Sequence, residues 1–175
     1  MKSSQKPLVA EKWVINASPV IALARIGQAE LLARLPEQAV LPQAVVNELL
    51  VAPEDDSARI ALESGIFKIV EAPAIPESIL AWDLGKGESA VLSYAIANPR
   101  FVAVLDDGAA RRCARSFSLT VTGTLSVIIL AKQHGLIESA AQVLQALRGV
   151  GFRLDDGVIR DALAHTVGEK WKAKK

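Results

Sequence analysis

The stretch that decides the fold is Phe101-Val-Ala-Val-Leu-Asp-Asp-Gly-Ala-Ala-Arg-Arg-Cys-Ala-Arg-Ser-Phe-Ser-Leu-Thr-Val-Thr-Gly-Thr124. Its apolar opening, Phe101 to Leu105, is typical of a short buried strand. A helix-compatible segment from Gly108 to Phe117 follows, and a second short apolar piece ends in Val-Thr-Gly-Thr124. Strand, helix and strand in this order predict one βαβ unit with parallel strands.

Two carboxylates, Asp106 and Asp107, stand between the predicted strand and the predicted helix. Ligands of open α/β sheets gather beyond the carboxyl ends of parallel strands, so this position is one where catalytic groups are often found. A second interpretation is purely structural. Aspartate favours the N-cap of a helix and its charge suits the helix dipole, so Asp107, taken alone, is better explained as a cap.

The same alternation of short strands and helices continues on both sides of this unit. Further strands are predicted at 13–15, 39–41 and 67–70, and helices at 19–25, 29–35, 42–50, 57–64, 88–97, 125–133 and 140–147. A last helix, capped by Asp155 or Asp156, is predicted through Ala164. Ser18-Pro19 resembles a helix start, with serine as N-cap and proline at the first helical position. The pattern predicts an α/β fold with a mainly parallel central sheet flanked by helices.

Length and composition indicate a globular protein with a sizeable core. The chain has 175 residues, 51% of them hydrophobic and 22% charged, and no compositional break divides it. The longest uncharged run, Ser116–Ala131, is shorter than the roughly 20 apolar residues of a membrane-spanning helix. Cys113 is the only cysteine, which excludes an internal disulfide and a cysteine-based zinc site. With no signal peptide visible at the N-terminus, we expect a cytoplasmic protein without a membrane segment.

Several common catalytic signatures are missing. Gly85-Lys-Gly87 has the spacing of neither a P-loop nor a dinucleotide-binding motif. No Gly-x-Ser-x-Gly elbow occurs, and two histidines, His134 and His165, give little support to a triad or a zinc site. What remains is a set of dispersed acidic residues. Taken singly, each has a structural explanation, such as the roughly 0.3–1 kcal/mol that Glu88 gains in the first turn of its helix.

The order of the motifs resembles the PIN-domain family, in particular its predicted nucleic-acid-binding proteins and VapC-type toxin ribonucleases. The segments that carry the resemblance span most of the chain; they are Trp13–Gly27, Val45–Leu49, Leu84–Ala90, Val104–Arg111, Val121–Leu125 and Ala131–Ile137. The resemblance implies a three-layer α/β sandwich. It also implies a single domain over 1–175, with a core at about 13–165 and flexible tails at 1–12 and 168–175.

The resemblance further implies Mg²⁺- or Mn²⁺-dependent cleavage of RNA. Clustered carboxylates suit that chemistry because these ions prefer hard oxygen ligands and can activate water next to a phosphodiester. By resemblance, the metal ligands are Glu48, Glu88, Asp106 and Asp107, and the expected substrate contacts are Ser18, Thr124, Arg111 and Arg112. An arginine can bind phosphate through two parallel hydrogen bonds.

Asn16 stands where the family carries its first aspartate, at the end of the first strand. Asparagine keeps one acceptor oxygen but lacks the charge and adds an amide donor, which should weaken metal binding. One hypothesis is therefore a toxin–antitoxin ribonuclease with a weakened site. Another is a non-catalytic module that binds RNA or protein, and a third, less supported because no phosphate loop is present, is a nucleotide-binding protein.

Partners are also implied by the resemblance. Besides RNA, we expect a small antitoxin protein and a homodimer. We expect the apolar surface for such partners to be formed by five helical residues, Leu31, Leu32, Val45, Val46 and Leu49.

Overall fold

A computed structural model describes residues 8–173 of the chain. This part contains five strands, β1 Val9–Ile15, β2 Pro36–Pro42, β3 Lys68–Val70, β4 Phe101–Val104 and β5 Val121–Thr122. It also contains ten helices: α1 Ala17–Arg25, α2 Leu31–Arg34, α3 Gln43–Leu50, α4 Ser57–Glu63, α5 Glu77–Leu80, α6 Lys86–Ala97, α7 Gly108–Ser116, α8 Thr124–Gln133, α9 Ala140–Gly149 and α10 Asp156–Thr166. No helix within residues 8–173 is long and apolar enough to span a bilayer.

The five strands form one sheet in the order β3-β2-β1-β4-β5, and every neighbouring pair is parallel. Helices connect each strand to the next along the chain, as parallel pairing requires. The predicted α/β fold with a parallel central sheet flanked by helices is confirmed. The βαβ unit of the opening stretch corresponds to β4, α7 and β5.

The core lies around the central strands. Trp13, Val14 and Ile15 of β1 are fully buried, as are Ala103 and Val104 of the adjacent β4. Such continuous apolar runs are expected where helices cover both faces of a parallel sheet. The sheet is thereby a rigid support for whatever projects from its carboxyl edge.

The apolar residues assigned to a partner surface belong to the core instead. Leu31, Leu32, Val45, Val46 and Leu49 are at most 4% exposed. The prediction was wrong because α2 and α3 turn these side chains toward the sheet and α6, and the chain uses them for its own packing. Exposed apolar side chains begin one residue later, with Leu50 and Val51.

The tails are shorter than predicted. Residues 9–12, expected in a flexible N-terminal tail, form the first part of β1 and pair with β2. Near the other end, Trp171 is 7% exposed; its indole N–H donates to Asp156 Oδ1 (2.7 Å), and Arg148 lies over its ring. Because the indole is buried and makes these polar contacts, the chain is held in place at least as far as Trp171. The remaining tail residues, 1–7 and 174–175, lie outside the described part.

Glu169 fastens the C-terminal segment to the start of α9. Its carboxylate accepts hydrogen bonds from the Ala140 and Ala141 N–H groups and from the Ser139 hydroxyl, at 2.8–3.0 Å. Burial opposes ionisation, but these hydrogen bonds and the charge of Lys132 together lower the pKa of Glu169. The carboxylate also complements the positive end of the helix dipole.

We expect Glu169→Gln to destabilise the fold at neutral pH by about 1 kcal/mol or more, since hydrogen bonds to a charged group are the stronger kind. A carboxyl group with a lowered pKa stabilises the fold above its unfolded-state pKa, near 4.3 for glutamate, and loses that contribution as pH falls through the folded-state value. Thermal unfolding of both proteins at several pH values should therefore show the difference shrinking in acid. Glu54→Gln, at a highly exposed side chain, is the control, and an unchanged difference at low pH would contradict the assignment.

Candidate active site

Two central strands bring the candidate residues to one edge of the sheet. Ile15 of β1 pairs with Val104 of β4, and the next backbone N–H, that of Asn16, donates to the Val104 carbonyl at 3.2 Å. The chain runs from β1 to β2 on one side and returns to β4 on the other. Asn16 and the Asp106–Asp107 pair therefore leave the sheet at the crevice where α/β folds bind ligands.

A cleft of about 480 Å³ opens at this crevice; we call it the first cleft. Its polar lining comes from the start of α1, from α3 and from the start of α6, and its far wall is the connection between α9 and α10. The lining residues that bear on function are Asn16, Ser18, Arg25, Glu48, Gly85, Glu88 and Phe152. Ser18, predicted as a helix cap, is an exposed residue within α1, because the helix begins earlier, at Ala17, with Asn16 as N-cap.

Glu48 is held at the N-terminus of α6. Its Oε1 accepts the Gly87 N–H at 2.9 Å, so a carboxylate faces the positive end of the helix dipole. The approach depends on glycine, since a Cβ at position 87 would lie 2.7–2.9 Å from the Glu48 carboxylate atoms. Gly87 thus sets the position of Glu48, although the two residues are far apart in sequence.

Glu88 lies in the first turn of α6, half-buried, and accepts the Gly85 N–H at 3.2 Å. Burial raises the pKa of Glu88, and the hydrogen bond from Gly85 opposes this shift. The negative charges of Asp107 and Glu48 raise the pKa further. Three carboxylates therefore repel one another across this part of the site, and a cation would relieve that repulsion.

Asn16 is the buried polar group of the first cleft, with 5% of its surface exposed. Its side-chain oxygen, Oδ1, has no hydrogen-bond partner among residues 8–173. A buried acceptor without a partner costs about 1–3 kcal/mol, so few are retained in folded proteins. Asn16 therefore lines the first cleft with an unused acceptor position, on an oxygen that solvent hardly reaches.

Asp106 faces a second cleft, of about 290 Å³, together with Arg111, Gly123, Phe152 and Arg153. Its carboxylate accepts the Thr124 N–H at 2.8 Å and the Thr124 hydroxyl at 2.6 Å. Burial raises the pKa of Asp106, while the hydrogen bonds from Thr124 and the charge of Arg111 oppose the shift. Thr124, predicted as a substrate contact, is fully buried and can influence a substrate only through Asp106.

Asp107 caps α7, since its Oδ1 accepts the Ala110 N–H at 2.9 Å. The structural interpretation of this residue is therefore correct, although its charge still acts on Glu88. Arg111 donates to the Leu105 carbonyl at 2.9 Å and lines the second cleft. Arg112 is exposed and lines neither cleft.

The predicted ligands do not form one cluster. Within residues 8–173, no three side chains of His, Cys, Asp or Glu are close enough together to hold a metal ion. Asn16, Glu48 and Glu88 share the first cleft, whereas Asp106 is drawn into the second by Thr124 and Asp107 by its own helix. The expectation of a single four-carboxylate hollow is wrong for this reason.

Sequence reasoning missed Gly87, Arg25 and Phe152. Gly87 did carry a signal, because it is a glycine directly before an acidic residue at a helix start. Arg25 and Phe152 carried none, since they come to the clefts only through tertiary packing.

Comparison with known proteins gives one family. A family model described as PIN domain matches residues 12–168, well over half of the chain. No curated protein matches the sequence of the chain. The matched range includes residues 12–15 of β1 and all the residues of both clefts described above.

Proposed function

Because the chain belongs to the PIN-domain family, a family of nuclease type, we propose that it is a metal-dependent endoribonuclease of the toxin–antitoxin kind. Its metal site is weakened by Asn16, at the position where the family carries an aspartate by resemblance. The observation that carries the proposal is Asn16 Oδ1, a buried oxygen without a partner, in the cleft that Glu48 and Glu88 also line.

The oxygens of the first cleft fit a hard divalent cation. Mg²⁺ is commonly bound through one or two carboxylates, with water and substrate phosphate completing its octahedron. Glu48 and Glu88 supply the two carboxylates, and Asn16 Oδ1 supplies a neutral oxygen that lacks any other partner. When bound, Mg²⁺ or Mn²⁺ provides the positive charge that activates water and stabilises phosphodiester oxygens.

The chain's own residues prepare the site for substrate. The Gly87 N–H holds Glu48 in place. The raised pKa of Glu88 means that the cleft without a cation disfavours its charged form, so a cation bound there would stabilise the carboxylate. The Ser18 hydroxyl and the Arg25 guanidinium line the same cleft and are exposed, so they can bind phosphate oxygens. Asp106 accepts hydrogen bonds from Thr124 and so fixes the start of α8 at the second cleft.

A second candidate is a catalytically inactive module that binds RNA or a protein on the same fold. The observation that favours it is the absence, within residues 8–173, of any three-ligand acidic cluster, combined with the uncharged Asn16. For either candidate, a small antitoxin or a second copy of the chain would cover exposed apolar side chains such as Leu50, Val51 and Ile60.

Asn16→Asp is the variant that tests the proposal. We expect it to raise Mn²⁺ affinity and the rate of RNA cleavage by about tenfold or more. A unit charge about 4 Å from a cation gains roughly 4 kcal/mol at an effective dielectric constant of 20. The cost of desolvating the new carboxylate offsets part of this gain in free energy. The expected tenfold increase in affinity corresponds to about 1.4 kcal/mol. Titration calorimetry with Mn²⁺ and cleavage of labelled RNA measure the two effects.

Asn47→Asp is the matched control, because it adds the same charge at an exposed residue outside the first cleft. If Asn16→Asp neither binds Mn²⁺ nor cleaves RNA, the nuclease proposal is wrong. If the unmodified chain binds Mn²⁺ at micromolar concentration and cleaves RNA, the inactive-module alternative is wrong.

A further inference from the structure

The connection between α9 and α10 lies between the two clefts. Phe152 lines the first cleft with Asn16 and Glu88, and it also lines the second with Asp106 and Arg111. The two clefts therefore adjoin at this half-buried ring. Gly151, at φ +91°, makes the turn directly before it, in a backbone region that favours glycine.

Each of the two clefts that Phe152 lines also contains an exposed arginine without an acidic partner in the part of the chain that the structure describes. Arg25 lines the first cleft and Arg153 lines the second, and both are exposed. Neither has a carboxylate within 4.0 Å among residues 8–173, whereas the nearby Arg148 is paired with Asp156 at 2.6 Å. Proteins that bind single-stranded nucleic acid combine a positively charged groove for the backbone with aromatic side chains on which bases stack.

We propose that Phe152 stacks on one base of a single-stranded RNA that crosses from the first cleft to the second, with Arg25 and Arg153 binding phosphates on either side. This inference rests on the proposed function, since it places the strand next to Glu48 and Glu88. It requires a single strand, because the face of a base is accessible to a side chain only when the base is unstacked. Phe152 is then a substrate-positioning residue that sets which nucleotide lies beside the cleavage point.

The first test uses Phe152→Ala and Phe152→Leu, the latter preserving apolar packing without an aromatic face. Affinity for a short fluorescein-labelled single-stranded RNA is measured by anisotropy in EDTA, where no metal-dependent cleavage takes place. We expect both variants to bind about 5- to 100-fold more weakly, the usual effect of losing one base–aromatic contact. Phe117→Ala is the control, a half-buried phenylalanine that lines a different cavity, and it should bind like the unmodified chain.

A scan with one abasic nucleotide at each position of the RNA separates stacking from structural damage. The unmodified chain should lose affinity strongly at one position, and Phe152→Leu should lose nothing more at that position, because the contact is already gone. A flat scan, equal binding by both Phe152 variants and the unmodified chain, or equally tight binding of duplex RNA would each overturn the inference.

The second test addresses the phosphate contacts through salt dependence. Arg153→Gln should reduce the slope of log affinity against log salt by about 0.7, the value for one phosphate contact on a single strand. Arg160→Gln, at an exposed arginine on α10, should leave the slope unchanged. A chain that binds no RNA at all would also overturn this inference, and the cleavage test with Asn16→Asp would then decide separately on the nuclease proposal.

Discussion

Replacing Glu48 and Glu88 together by glutamine is expected to remove Mn²⁺ binding and to lower RNA cleavage by about 100-fold or more. Both carboxylates of the first cleft are lost, and Asn16 is left there without an acidic neighbour. Even residues that only support a metal ligand typically contribute 10–100-fold to affinity, so loss of two ligands should exceed that range. Calorimetry with Mn²⁺, the Mn²⁺-induced rise in melting temperature and cleavage of labelled RNA provide three separate measurements.

The metal-free double variant should nevertheless remain folded. A raised pKa means that the folded state disfavours the charged form of Glu88, so this group opposes folding at neutral pH and does so less as pH falls through the raised value. Single Glu88→Gln should therefore be at least as stable as the unmodified chain in EDTA, and the two should converge in acid. Mn²⁺ affinity of the unmodified chain should decline over the same pH range, because protons compete for Glu88.

A control with the same change in net charge is Glu54→Gln combined with Glu71→Gln, both at exposed positions outside the clefts. It should bind Mn²⁺ as the unmodified chain does. Retention of full Mn²⁺ affinity by the Glu48 and Glu88 double variant would contradict the assignment of the first cleft as the metal site.

The fold was predictable because its strands are short apolar runs followed by helix starts. Trp13–Ile15 and residues 102–104 are buried on both faces, so their sequence is uniformly apolar and they are easy to recognise between polar segments. What covers the apolar face of each helix was harder to predict. Val45, Val46 and Leu49 form an apolar face by their spacing, but spacing does not tell whether the chain itself or a partner covers that face.

From the sequence we could predict which strands and helices contribute residues to the site, but not the direction of each side chain. Asp106 and Asp107 are adjacent in sequence, yet one bonds to Thr124 and the other to the next turn of its own helix. A chain that leaves a strand turns sharply, and the direction of each side chain then depends on neighbours far away in sequence. The same is true of Phe152, whose role depends on how α9 and α10 pack beside the sheet.

Gly87 offers a test of this dependence on residues far away in sequence. We expect its replacement by alanine to weaken metal binding while stability changes little. Alanine at this position suits a helix and reduces the freedom of the unfolded chain, which alone would stabilise the fold by about 0.4–1 kcal/mol. The added Cβ, however, would meet the Glu48 carboxylate at 2.7–2.9 Å. The end of a flexible side chain can move away, so we expect little loss of stability, but Glu48 then gives up the Gly87 N–H and its place in the first cleft.

Gly87→Ala should therefore weaken Mn²⁺ binding by about 10- to 100-fold, the range for a group that orients a metal ligand. RNA cleavage should fall in parallel, while the melting temperature in EDTA stays close to that of the unmodified chain. Gly149→Ala is the matched control, since its Cβ would meet no atom of residues 8–173 within 4 Å, and it should leave Mn²⁺ affinity and RNA cleavage unchanged. Unchanged Mn²⁺ affinity in Gly87→Ala would show that the position of Glu48 does not matter for the ion, because the substitution alters that position first.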